Sequence, residues 1–313
     1  MRAQSSTMQS VCASGVVAAG QNPFALDNHR AYALWREQKL RCYPQHLSEL
    51  LVPVVNPHAL TEAECAAIRW ACARANMAIY VSQPPDAGLS GTSLVVDMGK
   101  HFALLHLDQN LYADDDGISA LQVSAQRRQY EYIPYSRCGI SWHTDGYYNP
   151  PERKIHAMVL HCVRPAAEGG ENALLDHEML YLQLRDKNPD FIAALMQDDV
   201  MTIPANIESG VEIRPEQSGP VFSVDAHSGD LHMRYTARTR SIVWKTDATT
   251  QAAVKLLEDL LAGDSPYCFN RRLAAGEGII SNNVLHSRTA FKDSLDAGQG
   301  RLMYRARYYE RIQ

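Results

Sequence analysis

Ile140-Ser141-Trp142-His143-Thr144-Asp145-Gly146 decides how this chain is read. The run opens on apolar, strand-forming residues, passes through an His-x-Asp pair and stops at a glycine, as a strand entering a turn does. Residues two apart on a strand share a face, so His143 and Asp145 can aim inward together. Two such side chains cover only part of a metal's coordination sphere. His286, within Asn282-Asn283-Val284-Leu285-His286-Ser287-Arg288, is the obvious third donor. Two imidazoles and one carboxylate take one face of an octahedron. Three positions stay open, which suits an iron(II) centre that must also hold a bidentate ligand and O₂.

By itself His-x-Asp is weak, and the chain carries a second copy, His106-Leu107-Asp108. Context separates them. Only the pair at 143 and 145 is followed by an apolar strand (Ile155 to Val163), a glycine turn (Gly169-Gly170) and, far downstream, a histidine followed by an arginine-bearing strand. In that strand, Arg301 to Tyr309, alternation puts Arg301, Met303, Arg305, Arg307 and Tyr309 on one face. A half-exposed strand with arginines in water is the bland reading. The functional one presents guanidinium groups to a carboxylate, which arginine grips through a planar fork that lysine lacks.

From Leu94 onward the text reads as short strands between turn signals: Phe102 to Leu107, Tyr130 to Tyr135, Ile155 to Val163, Val221 to Val224, Leu231 to Tyr235, Gly278 to Leu285 and Arg301 to Tyr309. Thr61 and Glu64 form a capping box for a helix to about Asn76, with Cys65, Ile68 and Cys72 on one face. Further helices are expected over Asp176 to Arg185, Asp190 to Met196 and Thr249 to Leu261. Ser82 to Thr92, with two prolines and two glycines, is a loop whose place near the candidate site would suit a lid. The expected fold is mainly β with covering helices, a jelly-roll, double-stranded β-helix barrel of the cupin-like kind.

The chain has 313 residues, is 46% apolar and 21% charged, and carries a net charge of −5. That balance argues against nucleic acid or an anionic membrane surface as the main partner. No run of about 20 apolar residues exists to span a bilayer. Seven scattered cysteines without a Cys-x-x-Cys pair suggest neither a disulfide framework nor a zinc knuckle, and a reducing, cytoplasmic setting fits. Residues 1–25 are expected to form a disordered leader. Residues 26–313 are expected to form a single domain with a helical insert at about 176–200.

Four stretches together resemble the taurine dioxygenase-like (TauD/TfdA) branch of the iron(II)/2-oxoglutarate dioxygenases: WHTDG at 142–146, EGGENALLD at 168–176, NNVLHSRTAF at 282–291 and RLMYR at 301–305. The resemblance covers roughly Tyr130 to Tyr309. It implies that His143, Asp145 and His286 hold Fe(II), that Arg301 binds the far carboxylate of 2-oxoglutarate, and that Arg305 lies near its other carboxylate or the substrate. Asn172 stands where many members have a threonine that bonds the co-substrate. The gap from His286 to Arg301 is longer than in taurine dioxygenase, implying a larger turn through Ala297 to Gly300. The implied reaction consumes O₂, releases succinate and CO₂, and hydroxylates an unactivated C–H bond. Because Asp145 is present, hydroxylation is favoured over the halogenation of relatives that lack the carboxylate.

The substrate is expected to be a small molecule. Tyr135, Arg137, Tyr147, Tyr148 and Arg153 flank the metal motif, and Arg234, Arg238 and Arg240 cluster nearby. If Tyr135, Tyr147 and Arg238 line the pocket, an anionic or amino-acid-like substrate follows. A zinc hydrolase using the same three ligands and a non-catalytic ligand-binding barrel are the competing readings, and association into a homo-oligomer stays open.

Overall fold

Burial on successive strand residues, rather than on alternate ones, marks a sheet covered on both faces. Ala157–Arg164 and Glu277–Ser281 are buried almost throughout, polar His161, Glu277 and Ser281 included. They lie at the centre of the larger sheet in the computed structural model, which describes residues 22–84, 91–109, 117–123, 133–238, 242–293 and 300–313.

In chain order, the elements that build the site's surroundings are α1 (His29–Cys42), β1 (Leu51–Pro53), α2 (Glu62–Ala75), β2 (Met77–Val81), α3 (Gly91–Lys100), β3 (Ser119–Leu121), β4 (Ile140–His143) and β5 (Ala157–Arg164). There follow β6 (Asn172–Leu175), α4 (His177–Lys187), α5 (Pro189–Leu195), α6 (Ala248–Ala262), β7 (Cys268–Arg271), β8 (Glu277–Ser281), β9 (Leu285–Arg288) and β10 (Leu302–Tyr308). A six-stranded sheet runs β1-β2-β8-β5-β10-β3 and a four-stranded sheet runs β7-β6-β9-β4. Apart from the parallel β1–β2 pair, these ladders are antiparallel. Sequence-distant strands are neighbours throughout, as a jelly-roll requires. One apolar core joins the two sheets through Leu174 and Phe269 on one side and Val159, Ile280 and Met303 on the other.

The capping box at the start of α2 forms as the sequence predicts: Glu64 N–H donates to Thr61 Oγ1, and Glu64 Oε2 accepts from Thr61 N–H at 2.7 Å. Cys65, Ile68 and Cys72 are its buried stripe. Asp176 caps α4, and α5 follows at once after Asn188, so both helices expected over this stretch form. These two helices and α6 enclose a second apolar cluster with Phe222, Leu231 and Tyr235.

Four expectations change. The text from Leu94 is helical at first, because α3 buries Leu94, Val95 and Met98 against the sheet. Phe102 to Leu107 is a turn rather than a strand, with Ala103 at φ +56° and only Leu107 bridged, to Tyr308. Of the expected strand Tyr130 to Tyr135, the described part, Ile133–Tyr135, is a single 3-10 turn. Asn22 to Ala25, assigned to the leader, are instead packed: Phe24 is only 5% exposed, and Arg185 donates to Pro23 O at 2.8 Å. Most of the expected lid loop and of the turn before Gly300 lies outside the described residues. No helix among the described residues is long and apolar enough to cross a membrane.

Candidate metal centre

β9 lies between β6 and β4, and its register places His286 directly opposite His143. Facing residues in an antiparallel pair hold their Cβ atoms about 5 Å apart, and the two imidazole rings accordingly sit with centroids 4.2 Å apart. Each Nδ1 donates to the carbonyl two residues earlier, His143 to Ser141 O and His286 to Val284 O, both at 2.9 Å. That bond selects the tautomer and leaves Nε2 to offer its lone pair, the usual arrangement for a metal-binding histidine.

Asp145 lies beyond the end of β4, so strand alternation alone does not aim it. Thr144 is pinned first: its N–H donates to Tyr235 O, and its Oγ1 accepts from Tyr235 N–H. Asn283 then clamps the next peptide. Its Oδ1 accepts from Asp145 N–H at 2.8 Å, while its Nδ2 donates to Asp145 O at 3.0 Å and to Ile155 O at 2.7 Å. Gly146 completes the turn at φ +68°, where a Cβ would stand 2.5 Å from Ile155 Cγ1. The result is one cluster: donor atoms of His143, Asp145 and His286 all lie within 4.8 Å of one another.

The donor set fits a divalent cation. Asp145 Oδ1 pairs with Arg305 Nη1 at 2.9 Å, whereas Oδ2 is buried without a hydrogen-bond partner. A buried carboxylate oxygen left without a partner, on a group clustered with two imidazoles, is costly unless a cation satisfies it. Loss of surrounding water, then the neighbouring His286, push His143 down to about 3. Burial likewise lowers His286. Burial opposes ionisation of Asp145, but the Arg305 and Arg307 guanidinium groups outweigh it and hold the carboxyl below its ordinary value. Two neutral imidazoles and one carboxylate are therefore the resting state at neutral pH, the protonation a metal requires.

The arginine strand divides its labour. Arg307 is spent on structure, pairing with buried Asp108 and donating to Tyr148 Oη at 3.1 Å. Asp108 also accepts from Tyr309 Oη, Arg153 and Asn149. The second His-x-Asp is thus a packing anchor: His106 is turned out to solvent and bonded to Glu310. Arg305, which the resemblance placed near the co-substrate or substrate, sits on the ligand carboxylate itself. Arg301 lies before a register shift at Leu302/Met303 and is 4% exposed, with Nη1 unpartnered. Burial lowers it to about 10. It lines a recess with Gly169, Gly170, Asn172, Arg272 and Met303. Asn172 thus shares its recess with the unpaired guanidinium.

The flanking residues separate as well. Tyr147 stands edge-on to His143 at 6.5 Å and bonds Thr236 and the exposed Arg238. Arg234 is structural: its guanidinium donates to the carbonyls of Tyr147, Met201, Gly219 and Gln217. Arg240 lies outside the described residues. Tyr135 is buried in its 3-10 turn, beside carbonyls of Ser136 and Cys138 that accept from Arg288. Sequence reasoning assigned no part to Asn283 or Arg288. An asparagine pair between an apolar strand and the metal-bearing strand was the available signal, since asparagine tolerates the left-handed conformation that Asn283 adopts at φ +49°.

Comparison with known proteins agrees with this geometry. Residues 53–307 match the family model described as taurine catabolism dioxygenase TauD, TfdA family. A uridine-5'-phosphate dioxygenase of an Amycolatopsis species is 30% identical over 236 residues, 72% of this chain and 81% of the relative. One from a Streptomyces species is 28% identical over 201 residues, covering 63% and 71%. Among solved structures, asparagine oxygenase with Fe(II), 3-hydroxyasparagine and succinate superposes with a TM-score of 0.60 at 15% identity, over 98% of this chain and 92% of that one. The non-heme iron oxygenase OrfP with Fe and alpha-ketoglutaric acid gives 0.56, also at 15% identity and over 98% and 92%. The chain therefore belongs to the TauD/TfdA family and is an iron(II)- and 2-oxoglutarate-dependent dioxygenase.

Proposed function

We propose that the protein hydroxylates a C–H bond of a small anionic molecule, with a nucleoside monophosphate as the first substrate to test. The observation that carries this reading is the orphaned Asp145 oxygen in one cluster with two histidines, together with the buried Arg301, its Nη1 without a partner, just ahead of β10. His143, Asp145 and His286 would hold iron, and Arg301 with Asn172 would take the far carboxylate of 2-oxoglutarate. Iron and co-substrate together supply the oxidising power for the C–H bond. The protein's part is to hold both imidazoles neutral, to place the anionic co-substrate against a buried guanidinium, and to keep water from the centre.

Arg238 has no carboxylate partner among the described residues and bonds Tyr147 on the His143 side of the site. An anionic group on the substrate would complete that pair, and the phosphate of the substrate named for the curated relatives has suitable chemistry. A cytoplasmic setting, which keeps iron(II) reduced, belongs to the same reading. A zinc hydrolase would leave Arg301 and its recess without a use.

Anaerobic protein given Fe(II) should develop a weak visible charge-transfer band on adding 2-oxoglutarate. His143→Ala abolishes it and His106→Ala does not. Succinate release is then screened with uridine monophosphate, other nucleotides, amino acids and sulfonates. No band in folded, iron-loaded protein ends the case for the centre. Turnover confined to uncharged compounds ends the case for an anionic substrate.

A further inference from the structure

Asp145 is held asymmetrically. One oxygen, Oδ1, takes Arg305 Nη1 at 2.9 Å; the other, Oδ2, is buried without a partner, and the carboxylate shares one cluster with both histidines. The backbone on either side of the carboxylate is fixed by Asn283, which bonds both Asp145 N–H and Asp145 O. The carboxylate therefore cannot trade its two oxygens without breaking a charge-assisted bond inside the protein, where such bonds are strongest. Arg305 itself is confined, being on β10 opposite Leu160 of β5 and next to Arg307, which Asp108 and Tyr148 hold in place.

We infer that Arg305 is a positioning residue that restricts Asp145 to a single oxygen toward the metal. A carboxylate freed of its guanidinium can turn both oxygens to a cation. Since a facial triad works by keeping three positions open, a second bond from Asp145 would take one that 2-oxoglutarate or O₂ needs. Arg305 then acts through the ligand rather than on the co-substrate. The inference rests on the reading of this cluster as an iron site, and it differs from a direct contact between Arg305 and 2-oxoglutarate in one respect: its effect is present before any co-substrate is added.

The test uses the full chain with Co(II) as the spectroscopic probe, first alone and then with 2-oxoglutarate, in the wild type, Arg305→Met and Arg305→Lys. In Arg305→Met the Co(II)-only ligand-field spectrum should differ from the wild type, Co(II) affinity should rise about tenfold, because a cation that repels the ion is gone and both Asp145 oxygens are free to bind it, and 2-oxoglutarate affinity should fall. Arg305→Lys, which keeps one charged donor, should lie between the two. If the Co(II)-only spectrum and affinity match the wild type while 2-oxoglutarate binding alone weakens, Arg305 acts on the co-substrate and the inference is wrong. A fall in Co(II) affinity with an unchanged spectrum also overturns it, as the mark of a merely structural arginine. Should Arg305→Met not fold, Arg305→Gln is read by the same two criteria. Failure of the wild type itself to take up Co(II) would instead overturn the iron-site reading.

Discussion

Replacing Asn283 by alanine tests whether the metal centre depends on a clamp that touches no metal. The substitution removes three buried hydrogen bonds, to Asp145 N–H, Asp145 O and Ile155 O. At about 1–1.5 kcal/mol net for each bond, the loss comes to about 3–4.5 kcal/mol. Alanine must also adopt φ +49°, which costs an L-residue about a further 1–2 kcal/mol. Asn283→Gly removes the same bonds without that steric cost, so the difference between the variants isolates the backbone contribution. Urea denaturation of the metal-free protein measures stability, and Fe(II) titration measures the centre. Both variants should lose stability, and both should bind Fe(II) about tenfold or more weakly, because the Asp145 carboxylate is no longer aimed. Loss of less than about 1 kcal/mol in Asn283→Ala, or an unchanged Fe(II) affinity in both variants, would refute the clamp.

Arg301→Ala should raise the KM for 2-oxoglutarate by about tenfold to a hundredfold, the worth of a charged hydrogen bond to a carboxylate, with Arg301→Lys recovering only part; an unchanged KM in steady-state assays would remove Arg301 from the co-substrate site. The metal-free protein should lose stability as pH falls. His143 is held near 3 when folded against about 6.5 in the unfolded chain, so the unfolded state binds the extra proton between those values and this contribution is complete only above the upper one. Thermal melts at pH 7 and pH 5 should show the drop, and it should be smaller in His143→Ala; equal drops in both proteins would sink the assignment.

How far the sequence reached depended on whether neighbouring residues decided the outcome. The Thr61/Glu64 capping box formed as expected because both partners lie within a few residues of each other. The run from Leu94 misled because a short apolar segment fits a strand or a buried helix equally well, and packing of Leu94 and Met98 settled it. The paired His-x-Asp motifs could be ranked only by distant context. Their different fates follow from what surrounds each aspartate: Asp108 is saturated by Arg307, Tyr309, Arg153 and Asn149, whereas Asp145 keeps one oxygen free.

By residue type and spacing alone, the chain declared a candidate metal triad, the arginine strand and a β-rich fold, since each is a matter of local chemistry and alternation. What it could not declare is where each arginine goes. Arg301, Arg305 and Arg307 have the same parity in sequence, yet a register shift and unequal partners give them a recess, a ligand carboxylate and a buried aspartate respectively. The same holds for Asn283, whose partner is 138 residues away. A side chain's role is set by the charge and the open hydrogen bonds it meets, and only the tertiary structure brings those together.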